Sequence, residues 1–126
     1  MRRLGTLMLF LAALVATPSP LSAQSEIVVE GTLVDSKCFL DMGEKGESHG
    51  QMSACGSMCL RGGQPAGLVT ADDAFHVLVA SASALAPHVG HTVRVTGMVK
   101  NGALVVTKAE MNVNGSYTEI ELPSMM

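Results

Sequence analysis

Residues 91–113 leave a chain like this few folds to choose from. His91 to Lys100, HTVRVTGMVK, alternates strictly, with Val93, Val95, Gly97 and Val99 on one face and Arg94, Thr96, Met98 and Lys100 on the other. Such a period of two is the mark of a half-buried strand. Asn101-Gly102 follows, the strongest short hairpin signal, because a tight two-residue turn needs residues that tolerate positive φ. Ala103 to Val113 is then the return strand.

Other segments extend this β character. Glu26 to Asp35, EIVVEGTLVD, is a β-branched strand with Gly31 in its middle. A glycine inside a strand marks a bulge or a sharp bend, as at a barrel corner. Gly67 to Ala71 reads as a short second strand, Asp72-Asp73 as a polar turn, and Ala74 to Ala80 as a third strand with Phe75, Val77 and Val79 on one face. Ser83 to His88 is a helical turn or two, kept short by Pro87 and closed by Gly90. Asn114-Gly115 turns the chain toward Tyr117 to Leu122, a sixth strand. This order predicts an all-β fold with minor α content. Its form is a small five-stranded OB-like barrel, with a short helix between strands 3 and 4. A sandwich or open sheet of the same strands is the alternative.

The N-terminus has a different character. Arg2 and Arg3 precede the apolar run Leu4 to Ala16, Pro18 and Pro20 break it, and Leu21-Ser22-Ala23 ends on a small residue. A run this short does not span a bilayer and reads as a signal peptide, residues 1–23, cut after Ala23. The mature part, 24–126, is one domain by length. It holds six basic residues against eleven acidic ones, a net charge near −5, with three aromatics. That balance excludes nucleic acid and anionic membrane surfaces as partners, since both demand basic surface. Export predicts a periplasmic or secreted location, where cysteines usually pair. Three cysteines is an odd number.

All three flank or lie in the long connection between strands 1 and 2, residues 39–66. A connection of that length is uncommon unless it is functional or has structure of its own. Ser48 and Gln51 match a capping box, while Arg61, Gly62 and Pro65 match a helix end. Together they predict a helix over 49–61, weakened by Gly50 and Gly56 by about 1 kcal/mol each. On it Met52, Cys55 and Cys59 share an arc of about 60°, with His49 near its edge. Cys38, leaving the first strand, can meet that face. Asp35, three residues earlier, either orients a ligand or caps the turn that ends the strand.

Gly31-Thr32-Leu33-Val34-Asp35 leading to Cys38, then Cys55 and Cys59, then Gly90-His91-Thr92-Val93-Arg94-Val95-Thr96-Gly97, resembles small exported bacterial domains of the OB-fold type that carry a Cys/His insertion after the first strand. The resemblance covers most of the mature chain. It implies the barrel fold and a metal-binding role, and it assigns no catalytic residue.

Three chemistries fit the cluster. Cys38, His49, Cys55 and Cys59 make a complete tetrahedral shell for zinc, and with Met52 and Met58 as auxiliary donors they equally suit Cu(I). A disulfide from Cys38 to Cys55 or Cys59 would instead staple the insertion to the barrel and leave one thiol free, making the domain a protein- or ligand-interaction module without metal. Thiol redox chemistry at Cys55-Gly56-Ser57-Met58-Cys59 would need a helix that lowers a thiol pKa. The reading that weighs most is an exported metal-binding module whose partners are the metal ion and another exported protein. No hydrolase, nucleotide-binding or zinc-protease signature marks an enzyme. His76, His88 and His91 read as surface or turn residues, Met98, Met111, Met125 and Met126 as packing or tail, and Glu44 to Glu47 as a solvated loop.

Overall fold

A computed structural model describes residues 25–48 and 52–124. The expected leader, residues 1–23, therefore lies outside the described residues, as does His49. Six strands and three short helices follow in the order β1 (Ile27–Asp35), α1 (Ser36–Met42), α2 (Cys55–Arg61), β2 (Ala66–Val69), β3 (Phe75–Val79), α3 (Ala82–Leu85), β4 (Thr92–Lys100), β5 (Ala103–Val113) and β6 (Ser116–Ile120). A 3-10 turn, Ala86–His88, extends α3.

The sheet closes into a ring. β1 pairs antiparallel with β4 through 27–32 and with β2 through 32–35. β2 pairs with β3, and β3 lies parallel to the start of β5, which returns to β4. The circuit β1-β2-β3-β5-β4-β1 is the five-stranded OB-like barrel, and β6 adds to the free half of β5. The helix predicted between strands 3 and 4 is present as α3 and its 3-10 extension.

Two glycines make closure possible. Gly31 stands where β1 changes partner from β4 to β2, and a Cβ there would lie 2.4 Å from the Val69 carbonyl oxygen. Gly97 sits where the β4–β5 register slips and Thr107 is left over, a bulge that bends the ribbon. A Cβ at Gly97 would lie 2.1 Å from the Val105 carbonyl oxygen. The Asn101-Gly102 turn has φ of 50° and 82°, as its sequence demands.

Inward-facing Leu33, Leu68, Leu78, Val93, Val95, Leu104 and Ala109 fill the barrel. Leu85, Ala86 and Val89 enter from α3 and the turn after it, and Leu60 from α2. β3 faces the core through Leu78, whereas Val79, on the predicted apolar face, is exposed. The physical reason is a second cover on that outer face: Phe75 stacks on Phe39 of α1 with ring centroids 5.2 Å apart.

The insertion departs most from expectation. The chain does not run as one helix from 49 to 61. Ala54 has φ of 57°, a left-handed residue that prevents helix from continuing through it, and α2 begins only at Cys55. Ser48 does not act as a helix cap; its hydroxyl accepts the Ala54 N–H at 3.4 Å. An unexpected helix, α1, starts directly at the end of β1. Asp35 is its N-cap, accepting the Lys37 N–H at 2.9 Å, and Gly43 closes it with φ of 75°.

Candidate metal centre

Each thiol is placed by a different local device. β1 ends at Asp35, whose side chain caps α1 and so starts a helix without any linker. That fixes Cys38 on the inward side of α1, 7% exposed. The Ser36 N–H donates to the Pro65 carbonyl at 3.1 Å, so the two ends of the insertion, 36 and 65, lie side by side.

α2 is held by its buried face. Gly56, Ser57 and Leu60 pack inward, and Cys55 and Cys59, one turn apart, are half-buried beside them. Glu47 anchors the start of the helix twice. Its carbonyl accepts the Gly56 N–H at 2.9 Å, and its carboxylate accepts the Ser57 hydroxyl at 2.8 Å. Lys45 pairs with Asp73 at 2.8 Å. The segment 44–47, expected to be a solvated loop, is therefore a brace between α2 and the barrel.

The result is convergence: one ligand atom each from Cys38, Cys55 and Cys59 lies within 4.8 Å of the other two. Thiolates sharing one tetrahedral ion with 2.3 Å bonds stand about 3.8 Å apart, so only a small contraction closes the group on an ion. All three cysteines are free. The alternative of a Cys38 disulfide to Cys55 or Cys59 is not formed in this structure, where the three sulfurs converge as free thiols. Met52 and Met58, named as auxiliary donors, are 59% and 61% exposed.

The electrostatics hold two of the three thiols protonated. Burial, followed by the Asp35 carboxylate, pushes the Cys38 thiol up to about 12. At Cys59 the Asp35 carboxylate is the larger cause and burial the second, raising the thiol to about 11. Of the thiols in the redox alternative, Cys59 is thus held in its protonated form, the opposite of what that chemistry needs.

Asp35 is the site residue whose weight the sequence hides. It is 2% exposed. One carboxylate oxygen, Oδ1, is taken by the cap. The other, Oδ2, is buried without a donor in hydrogen-bond geometry. The signal was its place three residues before Cys38, which a cap explained equally well.

The remaining candidates stay apart from the thiols. His88 Nδ1 lies 3.1 Å from the Met111 sulfur, and burial, then His91, lowers its pKa. On the outer face Arg94 pairs with Glu110 at 2.9 Å and lies 3.5 Å above the Tyr117 ring, so its charge is already engaged. Searches of family models, curated proteins and solved structures return no match to this chain.

Proposed function

We propose that this chain is an exported metal-binding module that holds one ion of the zinc or Cu(I) class through Cys38, Cys55 and Cys59. The observation that carries the reading is the convergence of three free thiols from two separate helices into a group within 4.8 Å. Soft thiolates select such ions. The site joins α1, at the end of β1, to α2, which also packs on α3, the 3-10 turn and β1, so the ion clamps the two helices of the insertion together at the barrel rim. His49, which the sequence offers as a fourth ligand, lies outside the described residues, and this reading rests on the three thiols alone. The residues 1–23 have the pattern of a cleaved leader, which supports a periplasmic or secreted location. No helix among the described residues is long and apolar enough to cross a membrane, and the acidic charge argues against nucleic acid as a partner.

The test is elemental analysis and a denatured thiol count on protein recovered from the exported fraction. The expected result is one metal ion and three titratable thiols per chain. Metal-free protein with a single thiol would overturn the reading in favour of a disulfide. Intact mass checks export: loss of residues 1–23 is expected, and a retained N-terminus would refute it.

A further inference from the structure

We propose that Asp35 is itself a ligand, its Oδ2 completing a four-coordinate Cys3Asp site for a zinc-class divalent cation. The inference rests on the metal-binding reading and names the fourth donor and the charge class of the ion.

Asp35 is 2% exposed. Its Oδ1 is held by the Lys37 N–H at 2.9 Å, which fixes the carboxylate at the junction of β1 and α1. Oδ2 is left buried with no hydrogen-bond donor. An unpaired buried carboxylate oxygen is costly, and native structures rarely keep one without a use. Cys38 lies in the first turn of the helix that Asp35 caps, and the Asp35 carboxylate is the charged group that acts most strongly on the thiols of both Cys38 and Cys59. The ammonium of Lys37 is not available to it, being paired with Asp41.

Loading a metal removes the thiol protons. The carboxylate would then lie buried against thiolates with no counter-charge but the ion. A monovalent ion with three thiolates leaves two negative charges beside a third. A divalent ion leaves one, and direct ligation satisfies the orphaned oxygen as well. Carboxylate oxygen at about 2.0–2.2 Å is an ordinary zinc ligand. Asp35 now borders the thiols of Cys38 and Cys59 and is not part of the three-sulfur group. A turn of the carboxylate about its held Oδ1, or a small shift of the ion toward Cys38 and Cys59, is what ligation requires.

The test uses Co²⁺ and Zn²⁺ with the intact mature chain. Asp35→Asn keeps the helix cap, because an amide oxygen still accepts the Lys37 N–H, but it removes the anionic donor. It is expected to weaken Co²⁺ and Zn²⁺ binding by more than about 100-fold, beyond the usual cost of losing an outer-sphere partner. Asp35→Cys is expected to raise the thiolate-to-Co²⁺ charge-transfer absorption by about one third, from three thiolates to four. His49→Ala is expected to leave both affinity and spectrum unchanged. If His49→Ala abolishes the tetrahedral spectrum while Asp35→Asn changes affinity less than about tenfold, the assignment of Asp35 is overturned and the three-thiol site stands. Should Asp35→Cys fail to fold, the Asp35→Asn and His49→Ala pair decides alone. Unmodified protein that binds Cu(I) but neither Co²⁺ nor Zn²⁺ overturns the divalent assignment only. Protein that binds none of the three refutes the metal reading together with this one.

Discussion

At the scale of single residues, the thiols of Cys38 and Cys59 set how the protein responds to pH. Their ordinary value is 9.0, and in the fold they stand at about 12 and about 11. Folding therefore favours the protonated thiols. In metal-free protein this preference is fully present below pH 9 and is lost as pH climbs through the folded values. Denaturant midpoints measured in chelator should be flat from pH 7 to 9 and fall steadily above it; a midpoint that rises toward pH 11 would contradict the placement of these thiols. Metal binding has the opposite sign. At least two thiol protons leave on loading, so apparent affinity should fall by at least about 100-fold for each unit that pH drops below neutrality. Competition with a chromophoric chelator at pH 6, 7 and 8 measures this slope. Cys38→Ser, Cys55→Ser and Cys59→Ser should each cut affinity or stoichiometry, with Cys38→Ser the most severe because its thiol is the most buried of the three.

At the scale of elements, the strands were legible and the insertion was not, for one physical reason. β4 and β5 alternate because each has one buried face, and a period of two survives in the residues themselves. The Asn101-Gly102 turn announces its own backbone. Gly31, read as a corner from its position alone, stands where β1 changes partner. The insertion is held instead by contacts between distant segments: Glu47 to Ser57, Ser36 to Pro65, Phe39 to Phe75. No periodicity encodes these. The apparent capping box at Ser48 failed because Ala54 is left-handed, so no continuous helix joins Ser48 to α2. Gly56 shows the same point energetically. In an isolated helix Gly56→Ala would gain about 1 kcal/mol. Here the new Cβ would lie 2.7 Å from Val89 Cγ1, a core atom with no room to withdraw, and overpacking of this kind costs about 1–3 kcal/mol. Net destabilisation by about 1 kcal/mol is therefore expected, accompanied by weaker metal binding as α2 lifts. Gly97→Ala meets backbone at 2.1 Å and should cost about 3 kcal/mol, yet spare metal affinity in whatever protein still folds. Thermal melts read beside metal titrations separate the two variants.

At the scale of the whole molecule, the barrel and the insertion are unequal partners. The ring of five strands encloses its own core, with Leu33, Leu68, Val93, Val95 and Leu104 all buried to within 1%. The insertion contributes one leucine to that core, Leu60, and exposes Leu40, Met42, Met52 and Met58. Its two helices have seven residues each, short of the length at which helices persist without packing. Residues 36–65 should thus form the least stable unit of the fold, opening independently of the strands. An ion bound to Cys38 on α1 and to Cys55 and Cys59 on α2 ties both helices to each other, and through Asp35 to the end of β1. Its binding free energy adds to the stability of that unit. Chelator should accordingly expose the insertion to protease, with cuts confined to 36–65, while the strands keep their β-sheet circular dichroism and the fragment from Ala66 onward stays associated with β1. Restored Zn²⁺ should reverse the sensitivity. Reductant alone should change nothing, because no disulfide holds the segment. Cuts that appear with reductant and not with chelator would assign the insertion's order to a covalent staple. Equal resistance under both treatments would assign it to the Glu47 brace and to the packing of α2 on α3, the 3-10 turn and β1, and the thiol group would then have no part in holding the fold.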